Sequence, residues 1–200
     1  MGFIMILDLF SLKGKTAVVT GANTGLGQGI CVALAQAGAS VIGVARRSCA
    51  DTAEKIAEFN GSFSELIVDL STPDAVDKII EGIDSLGGNV DILVNNAGIN
   101  LPRLLVDVKG EKPEYELNED SFGKMFAVNV KGVFLCAQAV ARELVKQGHG
   151  VILNMSSESG KEGSQGQSAY SATKGAVECT SCCMCTGNHG SNRSSYHSLQ

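Results

Sequence analysis

The sequence predicts an α/β fold, a doubly wound parallel sheet between two layers of helices, and three observations carry that prediction. Short runs of aliphatic and β-branched residues alternate along the chain with longer stretches of helical period, the pattern of βαβ units. The short runs are nearly continuously apolar rather than alternating, as strands covered on both faces must be. Between the first run and the first helical stretch lies a turn that carries three glycines, Gly21, Gly25 and Gly27.

The elements follow in order. TAVVT at 16–20 is the first strand, and the glycine turn leads into a helix over 25–38. SVIGVA at 40–45 is the second strand, followed by a helix over about 51–60, and SELIVD at 64–69 is the third. Pro73 opens the next helix, 73–86, at a position where its missing N–H costs nothing. In that helix Val76, Ile79, Ile80, Ile83 and Leu86 recur at helical spacing. DILVN at 91–95 is the fourth strand. The stretch 99–118, INLPRLLVDVKGEKPEYELN, is charged and punctuated by proline, and a loop of that length in a compact domain is expected to be functional or disordered. A long helix over 119–147 aligns Phe122, Phe126, Val130, Val133, Ala137, Val140 and Leu144 in one stripe that must face the sheet or another subunit. VILNMS at 151–156 is the fifth strand, and Tyr170 and Lys174 then stand four residues apart on a further helix.

With 200 residues, 44% of them hydrophobic and 18% charged, the chain fits one globular domain. That domain is assigned to 1–178, and 179–200 to a Cys/Ser/Gly-rich tail. A net charge of −5 with no dense Lys/Arg run excludes the electrostatic footprint of a nucleic-acid or anionic-membrane partner, which leaves a small-molecule substrate. The opening MGFIMILDLFSLKGK has no basic residue ahead of its apolar run and no small-residue cleavage pattern, so no signal peptide is expected. No segment is expected to span a bilayer, and a cytoplasmic location follows. Cys31, Cys49 and Cys136, three of seven cysteines, are expected to be buried thiols.

The glycine turn has a specific use. Glycines let the chain bend tightly and bring backbone N–H groups against a pyrophosphate, while the helix N-terminus supplies partial positive charge. The strand–turn–helix setting of VVTGANTGLGQGI therefore predicts a Rossmann-type dinucleotide site. In such a unit an acidic residue beyond the second strand holds the adenosine ribose, and an arginine there accommodates a 2′-phosphate instead. This chain reads Ala45-Arg46-Arg47 at that point, which favours NADP(H), with NAD(H) as the alternative.

The TGxxxGxG spacing resembles the short-chain dehydrogenase/reductase family. The resemblance extends to the NNAG of Asn95 to Gly98, to Asn129, to Ser157 thirteen residues before Tyr170, and to YSATK, Tyr170 to Lys174. It covers about residues 10 to 178 and implies a three-layer α/β/α enzyme that moves a hydride between a nicotinamide and a secondary alcohol or ketone. It implies a cofactor site of Gly21, Asn23, Thr24, Gly25, Leu26, Gly27, Arg46, Asp69, Leu70, Asn96, Ala97 and Gly98, completed by Tyr170 and Lys174. Tyr170 is the expected general acid/base, since hydride transfer to a carbonyl needs a proton beside it. A free tyrosine, with a pKa of about 10, is a poor base, and the charge of Lys174 one helical turn away favours the phenolate. By resemblance, Lys174 also holds the nicotinamide ribose, Ser157 orients the carbonyl oxygen, and Asn129 supports a proton relay. No metal is expected in this chemistry.

Two stretches of the chain look like groups within that family that act on sugar-derived alcohols. One group interconverts a hexitol phosphate and fructose 6-phosphate, and the other acts on deoxygluconate. Reduction of a 3-oxoacyl thioester on acyl-carrier protein is the alternative activity, and an inactive nucleotide-binding product is another. Arg103, Lys109 and Lys112 in the long loop are candidates to meet a sugar phosphate.

The family pattern continues past Lys174 with further strands, which TSCCMCTGNHGSNRSSYHSLQ is not expected to supply, so the sheet is expected to lack its last strands. The tail resembles a frame-shifted or mis-spliced ending. Tetramers of the family pair the long helix with the Tyr–Lys helix, and in this chain that assembly is expected to be impaired. Cys179, Cys182, Cys183 and Cys185 with His189 and His197 are the rival zinc set, but their spacing lacks the paired knuckles of structural zinc sites.

Overall fold

The computed structural model describes the backbone over 6–186 and 195–199 and the side chains of 6 and 8–181. Among the described residues there are six strands: β1 (Thr16–Thr20), β2 (Ser40–Ala45), β3 (Ser62–Ile67), β4 (Ile92–Asn95), β5 (Val151–Met155) and β6 (Ser195–Leu199). They form one sheet in the order β3-β2-β1-β4-β5-β6, parallel at every pairing. The helices are α1 (Gly25–Gln36), α2 (Ala50–Ala57), α3 (Ala75–Ser85), α4 (Glu119–Phe126), α5 (Val133–Gln147), α6 (Ser159–Glu162) and α7 (Ser168–Thr186). This is the doubly wound α/β sheet that the sequence predicts.

Alternation along the strands builds two cores. Val18, Ile42, Leu93 and Ile152 face Ile79 and Ile83 of α3 and Val140 and Leu144 of α5. Ala17, Val19, Val41 and Val94 face Cys31 and Ala35 of α1 and Ile56 of α2. Burying an aliphatic side chain fully contributes about 1.5–3 kcal/mol, so the β1–β4 centre, covered on both sides, is the most stable part of the sheet. β5 is covered unevenly: Ile152 and Asn154 are buried, while Val151, Leu153 and Met155 are half-buried. Asn154 lies on the face that α7 covers, where its side-chain amide donates to Ser181 Oγ at 2.8 Å.

Four elements differ from the sequence expectation. The third strand is 62–67 rather than 64–69, because pairing runs from Ser40↔Ser62 to Ala45↔Ile67 and so matches β2, not the apolar run. The 119–147 helix is continuous, capped by Asn118 accepting from Ser121 N at 2.8 Å, but its middle turn, Ala127–Gly132, is π-helical. By length and composition this helix is apolar enough to cross a membrane, contrary to expectation, yet half of that window is buried within the fold. At the C-terminal end, α7 continues to Thr186 and so runs through the 178 boundary drawn from composition. Beyond it the backbone of Ser195–Leu199 pairs with β5, where the sheet was expected to end at its fifth strand. A parallel ladder uses only main-chain groups, so a polar segment can form an edge strand.

Candidate active site

Strand order reverses between β1 and β4, and their C-terminal ends diverge around a cavity of about 360 Å³. Openings at such switch points are where open α/β sheets take ligands. Gly21 leaves β1 with φ +71°, and a Cβ there would stand 3.0 Å from both Ala97 Cα and Asn96 Nδ2. Gly27, in the first turn of α1, is tighter still: a Cβ would overlap the Gly21 carbonyl oxygen and lie 2.6 Å from Asn96 Nδ2. The glycine turn, α1 and the turn after β4 therefore meet at backbone contact.

Thr20 fixes this junction. Its hydroxyl oxygen accepts from Asn96 N at 3.1 Å and Ala97 N at 3.0 Å, and the Asn96 amide donates back to Thr20 O at 3.0 Å. Thr24 precedes α1 in extended conformation without a side-chain cap bond, and the first turn of α1 holds no acidic residue. The N–H groups there keep their partial positive charge uncancelled beside the cavity.

Other walls come from the ends of neighbouring strands. Asn23 and Thr24 belong to the turn, Leu26 to the first turn of α1, Arg46 and Arg47 follow β2, Asp69 and Leu70 follow β3, and Asn96, Ala97 and Gly98 follow β4. Gly25, with φ +57°, shapes the bend without lining the cavity. Asp69 accepts from the Ser71 hydroxyl at 2.7 Å and from Ser71 N at 2.9 Å. These bonds, with lesser help from the charges of Arg46 and Lys124, hold its carboxyl below the usual range. Arg46 and Arg47 have no ion-pair partner among the described residues. A diphosphate fits this corner, since the glycines leave room for it, the uncapped start of α1 adjoins it, and Arg46 and Arg47, without an ion-pair partner among the described residues, line it.

Of the expected catalytic side chains, Asn129 and Lys174 adjoin Gly98 in the wall of the same cleft, and Tyr170 stands beside Lys174. Asn129 sits in the π-helical turn, 1% exposed, and its Oδ1 accepts from Ile99 N at 2.8 Å. Its Nδ2 donates to Ile99 O at 2.9 Å and to Thr173 Oγ1 at 3.0 Å. One side chain thus ties the segment after β4 to α7, and the extra residue per turn of a π-helix lets it point away from its own helix. Lys174 is 6% exposed and its Nζ donates to Met155 O at 2.6 Å, 5.8 Å from the centroid of the Tyr170 ring. Burial pushes its pKa down. Gly98 joins the two halves of the site: a Cβ there would lie 3.5 Å from Asn129 Oδ1 and 3.6 Å from Lys174 Nζ.

The adjacent serines behave differently. Ser156 Oγ lies 3.0 Å from both the Lys174 carbonyl and a Glu178 carboxylate oxygen, turned into α7. Ser157 Oγ accepts from Ser159 N at 3.3 Å, which leaves its proton available. Behind Lys174, a Cβ on Gly160 of α6 would stand 2.9 Å from Gly175 N, so α6 buttresses the backbone that carries the ammonium. A phenol, an ammonium and a buried amide thus stand near Gly98, and a phenol beside an ammonium is a pairing suited to proton transfer.

Sequence reasoning missed Thr20, Thr173 and the buried chain from Asn95 Nδ2 to Asn154 Oδ1, at 2.9 Å, and on to Ser181. Thr20 ends an apolar strand and reads as a β-former there, although a hydroxyl at a buried strand end was a usable signal. The buried thiols are as expected: burial raises Cys31 and Cys136 to about 12, and burial with the Glu65 charge raises Cys49 to about 11. Of the rival zinc set, Cys182, Cys183, Cys185, His189 and His197 lie outside the described side chains. Among the described residues no three metal-ligating side chains cluster.

Comparison with known proteins adds three findings. A family model described as short chain dehydrogenase matches residues 15–187. Sorbitol-6-phosphate 2-dehydrogenase of Klebsiella pneumoniae is 45% identical over 153 residues, 76% of this chain and 55% of that protein. A 2-dehydro-3-deoxy-D-gluconate 5-dehydrogenase of Dickeya dadantii is 40% identical over 154 residues, 76% of this chain and 57% of that protein. The chain thus spans little more than half the length of these curated relatives. Among solved structures, a gluconate 5-dehydrogenase from Burkholderia cenocepacia J2315 in complex with NADP and tartrate superposes with a TM-score of 0.79 at 32% identity. That match covers 90% of this chain and 68% of the other.

Proposed function

The chain belongs to the short-chain dehydrogenase family, and from that premise we propose that it is an NADP(H)-dependent oxidoreductase interconverting a secondary alcohol and a ketone on a sugar or polyol. The observation that supports this most is the convergence of Asn129 and Lys174 on Gly98, with Tyr170 beside Lys174, at the mouth of the glycine-lined cleft. The names of the two curated relatives support the sugar-derived substrate.

A bound nicotinamide supplies or takes up the hydride. The chain's own residues do the rest. The α1 N-terminus and the turn at Gly21 to Gly27 hold the pyrophosphate. Arg46 and Arg47, where an NAD-selective site would carry a carboxylate, receive a 2′-phosphate. Tyr170 gives its phenolic proton to the carbonyl oxygen during reduction and recovers it during oxidation, and the Lys174 ammonium stabilises the negative charge left on the phenol oxygen. Ser157 donates its free hydroxyl proton to the same carbonyl oxygen. Asn129 acts as a positioning residue, since both its N–H groups and its carbonyl oxygen are already engaged by Ile99 and Thr173.

The test is loss of the reduced cofactor's near-ultraviolet absorbance, with each reduced nicotinamide dinucleotide paired in turn with fructose 6-phosphate, keto derivatives of deoxygluconate and an acetoacetyl thioester. Oxidation of NADPH by a sugar ketone, abolished by Tyr170→Phe while NADPH still binds, is expected. Full turnover by the Tyr170→Phe protein would overturn the assignment of the acid, and turnover confined to the thioester would overturn the substrate class.

A further inference from the structure

The 99–118 loop is built around a positive centre that nothing described so far uses. The segment from Ile99 to Leu104 runs beside the N-terminal end of α7. Ile99 is tied to Asn129, Asn100 Nδ2 donates to Gln167 Oε1 at 3.2 Å, and Arg103 N donates to Gly166 O at 2.7 Å. Gly166 and Gln167 immediately precede the α7 turn that carries Tyr170. Those three tethers hold the backbone of Arg103 against the residues that lead into the catalytic helix.

Two cations converge there on one ring. Arg103 Cζ is 5.5 Å and Lys112 Nζ 5.7 Å from the centroid of Tyr115. The ring is held by backbone bonds, Leu104 N to Tyr115 O at 2.8 Å and Leu117 N to Leu104 O at 2.7 Å, so the cations rest on a fixed platform. The loop has carboxylates, but Asp107 accepts from Lys109 N and Lys112 N, and Glu116 accepts from Asp107 N. Neither Arg103 nor Lys112 has an ion-pair partner among the described residues. Arg103 spends one N–H on the Pro102 carbonyl at 2.8 Å, while its Nε is buried without a hydrogen-bond partner. An uncompensated guanidinium with an orphaned donor is an arrangement that an anion completes, because a planar fork pairs with a carboxylate or phosphate through two bonds. Lys109 shows no such convergence.

We infer that Arg103, supported by Lys112 across Tyr115, binds the anionic end of the substrate and selects a sugar derivative that carries a terminal phosphate or carboxylate over its neutral counterpart. This rests on the proposed oxidoreductase reading for its place beside Tyr170, but the anion site can be measured without turnover.

The experiment is calorimetric titration of the full chain, in the presence of NADP, with fructose 6-phosphate, D-gluconate and fructose, repeated with inorganic phosphate as competitor. Wild type is expected to bind one of the two anions at least about ten-fold tighter than fructose, in line with charge-assisted bidentate bonds. Whichever anion is preferred identifies phosphate or carboxylate as the recognised group. Arg103→Met should remove the preference, Arg103→Lys should keep part of it, and Lys112→Met should weaken it less than Arg103→Met. In steady-state assays the Arg103→Met change should fall on KM for the anionic sugar and leave kcat within about two-fold. Equal wild-type affinity for fructose and both anions, or an Arg103→Met protein that keeps the preference, overturns the inference. If Arg103→Met does not fold, the wild-type comparison and Arg103→Lys still decide it. Anion preference without any NADPH oxidation would refute the oxidoreductase reading and leave the anion site standing.

Discussion

Gly27 and Gly29 sit two residues apart in α1, and the contrast between them isolates what the glycine turn does. A Cβ at Gly27 would overlap the Gly21 carbonyl oxygen and approach Asn96 Nδ2 to 2.6 Å, whereas a Cβ at Gly29 meets nothing within 4 Å. The obstacle at Gly27 is backbone, which cannot rotate away, so Gly27→Ala must push α1 off the β1 turn. Overpacking of this kind costs about 1–3 kcal/mol. At about 2–4 °C per kcal/mol for a domain of this size, the melting temperature should fall by roughly 2–12 °C. Gly29→Ala removes an exposed mid-helix glycine and should stabilise by about 0.5–1 kcal/mol, a rise of roughly 1–4 °C. The displaced turn also withdraws amide donors from the pyrophosphate, so NADPH affinity should drop at least about ten-fold in Gly27→Ala and stay unchanged in Gly29→Ala. Thermal unfolding by circular dichroism gives the first quantity. Titration of NADPH fluorescence gives the second, free of tryptophan background because the chain has none. If the two variants melt together and bind NADPH alike, the contact at Gly27 is not what shapes the site.

Two further outcomes concern charge. Burial lowers the Lys174 pKa, so between its folded value and the unfolded value of about 10.4 the native state holds fewer protons than the unfolded one. Stability contributed by this group therefore rises with pH through that window, and charging it at neutral pH is a cost. Lys174→Met should abolish turnover, unfold at a urea concentration no lower than wild type at neutral pH, and lose this gain on titration to alkaline pH. A parallel alkaline response in both proteins would contradict the burial argument. At the opposite end of the sheet, Asp91 is partly buried, which alone would raise its pKa. Bonds from Lys15 Nζ at 2.8 Å, Thr16 N at 2.9 Å and His149 Nε2 at 3.2 Å outweigh that and lower it. A carboxylate depressed in the fold stabilises above its unfolded value of about 3.9 and loses that contribution as pH falls through the folded one. Asp91→Asn should cost about 1–2 kcal/mol at neutral pH, and the gap to wild type in urea should close in acid. A gap that persists below the folded value would show that the carboxylate's charge is not responsible.

Much of this was legible in the sequence, for physical reasons. β1 and β2 were found to the residue because nearly every position in them is buried, so apolarity and strand coincide. Asn23, Arg46, Asp69 and Asn96 come together because each follows a strand end on the same side of a parallel sheet, which strand order alone dictates. β3 slipped by two residues because it lies at the sheet edge, where the register is set by β2 and not by the strand's own hydrophobicity. The π-turn was invisible because one extra residue barely disturbs an apolar stripe, although the side chain it redirects, Asn129, had been singled out. Arg103 could be named among three loop cations but not chosen, since only folding shows that it shares a ring with Lys112 and leaves Nε unpartnered.

The Thr20 latch sets how this molecule can discriminate. With one hydroxyl accepting two amides and a return bond from Asn96, the gap between the diverging strands cannot widen without breaking several interactions at once. The nucleotide end of the groove is therefore a gauge of constant width that sorts molecules by whether they fit. On the proposed reading, with Arg103 of the 99–118 loop meeting the substrate, changes in substrate preference should arise in that loop and leave the nucleotide end untouched.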